Sequence, residues 1–398
     1  MRIAIRIGII FGAVLLLVTG ITIKLRHTST ANASKENRLV VHEWGTFTSI
    51  AGKDGVALEW RPLNGSSDLP KFVHTMHDRL GLRHARTKAD LTALVRMETP
   101  VLYFYSNQEM NITAEVNFPK GKITEWYPQA RSVDAGINWG SLKISPGAAF
   151  NYPADYSDNH YYAARETDAA PVQVCGSSGK PAEQEKFLFY RGVGSFDLPL
   201  SVKLMNDRLS LHNRSTEKIS RLIIFENRNG RVGYRVIDNF SGETMSERPV
   251  LDKSVDALTR DLRQALISSG LYDKEADAMI KTWRNSWFEE GMRVFYILPR
   301  QITDATLPLQ IDPRPAELVR ILIGRTEVIT PEMEKAVKKQ VSKLNDASPR
   351  IRAQARLAIQ KLGRFYEPIL RRIVEDERDE TVRARIQRLL EVPSSLGE

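Results

Sequence analysis

Three consecutive side chains, His42-Glu43-Trp44, place an imidazole, a carboxylate and an indole side by side near the start of a 398-residue chain. An imidazole or a carboxylate can move a proton, and an indole face can stack on a sugar ring. Glu98 and Glu125 stand in similarly apolar surroundings, and Glu125, like Glu43, directly precedes a tryptophan. Glycoside hydrolysis needs two carboxyl groups, about 5 Å apart in retaining enzymes and further apart in inverting ones. His42, Glu43, Glu98 and Glu125 are therefore the candidate catalytic residues. The reaction they suggest is hydrolysis of an envelope glycan near Trp44 and Trp126. The competing explanation is structural, since glutamates at strand ends commonly serve the fold.

Seven histidines raise the question of a metal. His74 and His77 are three apart, and His84 follows seven later, so His74, His77 and His84 are the residues that would have to ligate one. Arg79, Arg83 and Arg86 crowd the same segment and repel a cation, and no His-Glu-x-x-His pattern is present. No metal and no cofactor is expected. A Cys175–His160 nucleophilic pair lacks a recognisable third group. The single cysteine excludes an intramolecular disulfide and any Cys-rich zinc module. No glycine loop of the phosphate-cradling type occurs.

A second group of residues could bind rather than react. The long polar segment Asn151 to Lys186 is tyrosine-rich, and long loops on a rigid scaffold often carry function. Its Tyr161, Tyr162 and Arg165 join Trp44 and Trp126 as candidate binding residues. The net charge of +9 suits anionic partners, an acidic glycan or lipid headgroups, although a solvated basic surface also accounts for it. The basic residues are dispersed and export is expected, so nucleic acid is not an expected partner.

The elements that must position these residues are mostly strands. Leu39-Val40-Val41, Thr46-Phe47-Thr48 and Val101 to Tyr105 are β-branched or aromatic, and Ile112, Ala114, Val116 and Phe118 alternate with polar residues. Asn229-Gly230 marks a two-residue hairpin, and Asp54-Gly55 suggests another between 44–50 and 56–60. Residues 68–86 are expected to form a short helix capped by Asp68. From 252 to 290 the apolar spacing becomes helical, with Gly270 between two helices, which predicts an αα-hairpin. Apolar residues make up 42% of the chain, enough for a substantial core.

Arg2 and Arg6 precede an uncharged run from Ile7 to Ile23, roughly 25 Å long as a helix. Residues 1–26 are thus expected to be a membrane anchor, or a cleaved signal peptide, inserted through residues 7–23. Residues 27–38 are expected to be a linker. The expected location is the bacterial inner or cytoplasmic membrane, single-pass, with the bulk of the chain extracytoplasmic.

At the other end, Ile351-Arg352-Ala353 and Val382-Arg383-Ala384 match at an offset of 31 residues, each after an acidic polar turn. Residues 331–392 resemble HEAT repeats, which implies a helical scaffold that docks on a neighbour or a protein partner. Residues 393–398 are a tail. His42-Glu43-Trp44-Gly45-Thr46-Phe47, Met97-Glu98-Thr99-Pro100-Val101 and Lys186-Phe187-Leu188-Phe189-Tyr190-Arg191-Gly192 resemble an uncharacterised family of exported bacterial proteins. That resemblance implies an envelope location and carries over no functional residues.

The expected fold is mainly β with α. An antiparallel β-sandwich-like domain over 39–330 carries the αα-hairpin at 252–290 and leads into the HEAT-like helices. The expected function is binding or scaffolding at the cell envelope, with the glycan hydrolase as the alternative.

Overall fold

The computed structural model describes residues 38–63, 68–76, 91–155, 159–174, 182–344, 346–360 and 365–391. The chain begins with strands β1 (Val40–Ala51), β2 (His74–Thr75), β3 (Val95–Tyr105), β4 (Met110–Asn117), β5 (Gly121–Tyr127), β6 (Ser132–Val133) and β7 (Gly136–Ile144). A 3-10 helix (His160–Arg165) precedes β8 (Val172–Val174), β9 (Gln184–Glu185), β10 (Leu188–Gly194), β11 (Leu200–Met205) and β12 (Arg208–Asn213). Then come β13 (Ile219–Arg228), β14 (Arg231–Phe240), β15 (Gly242–Glu247) and helices α1 (Val255–Ser268) and α2 (Asp273–Trp287). Strand β16 (Gly291–Ile297), helix α3 (Arg300–Thr306), β17 (Leu309–Asp312) and β18 (Glu317–Val328) follow. The C-terminal helices are α4 (Pro331–Lys343), α5 (Pro349–Gln360), α6 (Tyr366–Asp376) and α7 (Glu380–Glu391).

The fold is mainly β, 40% strand and 28% helix, and β-sandwich-like. A nine-stranded sheet runs β14-β13-β16-β18-β1-β3-β10-β5-β2. One of its faces packs on a six-stranded sheet built around β4 and β7 and on the three-stranded sheet β11-β12-β15. Val41, Phe47, Leu102 and Tyr190 meet Ile112, Val116, Trp139, Val202 and Leu209 in that layer. The other face is covered by the α1–α2 hairpin, where Trp44, Tyr103 and Phe189 meet Leu262, Leu266, Met279 and Trp283. Covered on both sides, β1 has no exposed residue. A strand buried this way reads as a continuous apolar run and not as an alternation. The β1–β18 pair is parallel, whereas β1 and β3 are antiparallel. A parallel pair needs a long connection, which the intervening chain supplies.

Asn229-Gly230 forms the expected tight turn, both residues having positive φ (53° and 76°). Two local expectations are met only in part. Across the Asp54-Gly55 turn the pairing is a single bridge, Ala51 with Ala57, in which the Leu58 N–H donates to the Ile50 carbonyl at 2.8 Å; β3 and β18 take the edges of the rest of β1. Of the helix expected over 68–86, residues 68–75 are not helical, and His74–Thr75 instead forms β2 at the edge of β5, where tertiary pairing overrides the local signal; Met76 is helical. Residues 77–90, including His77 and His84, lie outside the described residues.

Helices α4–α7 pack on the β domain, and Asn37–Glu398 is one compact unit. Val337, Val341, Ile369 and Ile373 bury Ile50, Trp60 and Ile329. Buried Glu367 accepts from the Arg61 backbone N–H at 3.1 Å and from Arg61 Nε at 3.0 Å. The 31-residue repeat has a structural counterpart at the starts of α5 and α7. Arg352 donates to the Asp346 carbonyl at 2.7 Å and Arg383 to the Glu377 carbonyl at 2.6 Å, each six residues back. Among the described residues no helix is long and apolar enough to cross a membrane. The expected anchor at 1–26, most of the linker and the tail at 393–398 lie outside the described residues.

Candidate functional site

Strand β1 sends its two titratable side chains to opposite faces, as the period of two requires. His42 points toward the hairpin, where its Nδ1 lies 2.7 Å from Glu275 Oε2. Both residues are fully buried. Glu275, in the first turn of α2, also accepts from the Tyr105 hydroxyl and the Tyr272 backbone N–H, each at 2.8 Å. Burial and the Glu275 charge push the Tyr105 hydroxyl well above its usual range. The half-exposed Tyr272 ring lies 4.4 Å from the imidazole, and His42 Nε2 has no hydrogen-bond partner among the described residues. Glu43 points into the sandwich. Arg320 Nε donates to it at 2.5 Å, and the Tyr190 hydroxyl donates to its other oxygen. Arg320 continues to Asp304 at 2.8 Å, so the buried carboxylate is fully engaged.

A second group of charges gathers on the hairpin side, where β3 is bulged. Trp44 opposes Val101 and Thr46 opposes Glu98, which leaves Thr99 and Pro100 facing Gly45. Thr99 takes φ of 48°, a rare conformation for a β-branched residue. A Cβ on Gly45 would lie 2.9 Å from Pro100 Cα, so the close approach requires glycine. Strand β5 carries its own irregularity one strand further on, leaving Thr124 extra between the Arg191–Glu125 and Gly192–Ile123 pairs. Between the two bulges lies Arg191, which is 1% exposed at its side chain. It donates to Asp68 at 2.6 Å, and Thr99 Oγ1 lies 3.5 Å from it. Arg96 donates to the other Asp68 oxygen at 3.2 Å, and its Nε lies 3.2 Å from Glu98. Burial opposes the charge on Arg191, but Asp68, Glu125 and Glu98 outweigh it and raise its pKa. Burial likewise opposes the Asp68 charge, and the two arginines overcome it, holding the carboxyl far below its usual range. Burial first, then Arg191, lowers the pKa of His160 nearby.

The third group is aromatic and only partly covered. The Arg165 guanidinium lies 4.9–5.9 Å from the ring centres of Tyr162, Tyr152, Tyr161 and Phe72. It is held by Glu185 through Nε at 3.0 Å and Nη2 at 2.6 Å, and by the Pro153 carbonyl at 2.8 Å. Burial raises the pKa of Glu185 in spite of that pairing. Next to this group, at the β2 edge, His74 stacks on Trp126 and Tyr127 at 6.1 and 5.9 Å. Its Nε2 lies 2.9 Å from Glu183. Phe72 joins the two halves, 5.0 Å from Tyr127 and 5.6 Å from Tyr161.

The candidate residues thus separate. Glu43 faces away from Glu98 and Glu125, so it cannot flank one glycosidic bond with either. Glu98 and Glu125 share a face and both act on Arg191. Trp44 and Trp126, expected to offer their rings to a ligand, are 0% and 1% exposed; both anchor cores, Trp44 under the hairpin and Trp126 inside the sandwich. Tyr161 is also buried, while Tyr162 and Arg165 are half-buried. Of His74, His77 and His84, the residues that a metal would have needed, only His74 is described, and its Nε2 lies 2.9 Å from Glu183. Among the described residues no three His, Cys, Asp or Glu side chains are grouped to hold an ion. Asp68, Arg96 and Arg191 were missed as site residues. Two of them lie in or beside the Met97–Val101 and Lys186–Gly192 stretches, but only strand pairing brings these together.

No family model matches the chain, and no curated protein matches it. Among solved structures it is similar to the yeast delta-COP-I mu-homology domain complexed with Dsl1 WxWxV peptide. The identity is 9% and the TM-score 0.24, over 74% of this chain and 97% of that one. A likeness at that TM-score carries no argument about function.

Proposed function

We propose that the protein is a membrane-anchored, extracytoplasmic binding or scaffolding protein of the bacterial cell envelope. Its ligand surface is the aromatic group around Arg165, with a glycan as ligand class. The observation that supports this reading is the set of partly exposed rings, Phe72, Tyr152 and Tyr162, arranged around one guanidinium at the sheet edge. Such rings offer flat apolar faces with polar rims, which suit a sugar. The full chain in detergent is titrated with solubilised cell-wall polysaccharide, beside the double variant Tyr152→Ala/Tyr162→Ala. Two lost stacking contacts weaken binding about tenfold or more. Equal affinity for wild type and variant would remove the aromatic surface from the proposal. The HEAT-like helices are the second contact surface, through the outward residues Arg350, Arg356 and Leu357 of α5. The anchoring part is tested by cell fractionation with and without residues 1–36.

A second reading, glycan hydrolysis, rests on Glu98 and Glu125 sharing a sheet face around Arg191. Its test is product formation from the same polysaccharide. Loss of product in Glu125→Gln supports hydrolysis, and no product from the wild type ends it.

A further inference from the structure

We propose that Asp68 occupies the place of a ligand's anionic group at a two-arginine site, and that the ligand carries a carboxylate or a phosphate. The reading is independent of the aromatic surface.

The geometry is that of a receptor with its own side chain seated in it. Arg96 and Arg191 come from neighbouring strands β3 and β10 and aim at the two oxygens of one carboxylate, at 3.2 and 2.6 Å. Their side chains are 8% and 1% exposed, whereas that of Asp68 is 37% exposed. The cations are thus built into the sheet and the anion comes from the solvent side. Two convergent guanidinium groups are the usual protein recognition of carboxylate or phosphate oxygens. The arginines are held from behind. Glu98 engages Arg96, and Glu125 lies opposite Arg191 in the register. Asp68 is the third carboxylate at these two cations, and the one that reaches them from the more exposed side. An independent sign of an unfilled site is Arg191 Nε, which is buried and has no hydrogen-bond partner among the described residues. His160 Nε2 beside it is in the same condition. A ligand oxygen placed there would satisfy a donor whose lack of a partner costs about 1–3 kcal/mol.

The Asp68 backbone is pinned by Asn159, whose amide donates to the Asp68 carbonyl at 3.0 Å. A ligand therefore only has to displace a side chain that already reaches solvent. An internal competitor seated about nine-tenths of the time weakens apparent affinity about tenfold.

The test titrates the full chain in detergent with sodium phosphate and, separately, sodium glucuronate at constant ionic strength, following heat and the ring resonances of ¹⁵N-labelled histidine. Asp68→Asn is expected to bind at least one of the two about tenfold more tightly than wild type, with the His160 resonance shifting. Binding of phosphate alone assigns a phosphate ligand, and binding of glucuronate alone a carboxylate. Asn159→Ala frees the Asp68 carbonyl without touching Arg96 or Arg191, while also removing the cap on the Tyr161 N–H, and is expected to tighten binding in the same direction. It carries the test if Asp68→Asn does not fold. No binding of either anion by the variants, equal affinity in variants and wild type, or binding without a His160 shift would each overturn the proposal.

Discussion

His42 and Glu43 are adjacent in the chain and bonded on opposite faces of one sheet, His42 to Glu275 of the hairpin and Glu43 to Arg320 and Tyr190. Each ties β1 to a part of the chain more than a hundred residues away, and neither meets the other. The pair that invites a catalytic reading is, in the fold, two separate buried polar clamps.

Their energetic weights differ. Glu43→Ala leaves the Arg320 guanidinium buried beside an emptied space, and breaking a buried ion pair costs about 3–5 kcal/mol. His42→Ala leaves a Glu275 that keeps Tyr105 and the Tyr272 N–H, so its cost is about 1–3 kcal/mol. Urea unfolding measures both. A larger loss for His42→Ala than for Glu43→Ala would contradict this ordering.

Gly45 is the second constraint on β1. Gly45→Ala forces its methyl group against Pro100 backbone at 2.9 Å, and overpacking of this kind costs about 1–3 kcal/mol. Gly230, where a Cβ meets nothing within 4 Å, is the contrasting site. Its φ of 76° still makes Gly230→Ala unfavourable, by about 1 kcal/mol through backbone strain alone. Thermal unfolding of the two variants separates steric from conformational cost.

Arg165→Lys keeps the charge and removes the planar fork. Two of the bonds to buried Glu185 and the stacking on four rings are lost together. The expected destabilisation is about 2 kcal/mol, from the range for bonds to charged groups. Tyrosine fluorescence through a denaturant titration reads it, and an unchanged midpoint would show the fork to be dispensable.

The response to pH has a definite sign. His160 has a lowered folded pKa, so below about 6.5 the unfolded chain takes up a proton that the folded chain refuses. Stability therefore falls as the pH drops from 6.5 toward the folded value. His160→Gln is expected to flatten that part of the curve. Asp68 and Glu327, whose carboxyl groups are depressed, contribute stability above the unfolded carboxylate range, and it is lost as the pH falls through their folded values. Glu185, raised by burial, works in the opposite direction. Stability profiles of wild type and His160→Gln that run parallel from pH 7 to 5 would refute the assignment to His160.

The C-terminal helices belong to the same compact unit as the sheets. Glu367→Ala strands Arg61, and its expected cost is about 3 kcal/mol in the single unfolding transition. A separate early transition of the helical signal would instead mark an independent domain.

Much of this architecture is legible in the residues alone. The β-branched runs, the Asn229-Gly230 turn, the hairpin around Gly270 and the 31-residue repeat are local signals, written in spacing and in the conformational freedom of single residues. The same local reading failed at His74, where one strand edge recruits a segment that carries helix signals. It also offered Trp44 and Trp126 as binding residues, because burial of β1 and β5 depends on which sheets and helices cover them. The meeting of Asp68, Arg96 and Arg191, and the parting of His42 from Glu43, were decided only by tertiary structure. Register across β1, β3, β10 and β5, together with two bulges, sets which side chains share a face. No residue type or spacing within a single strand carries that information.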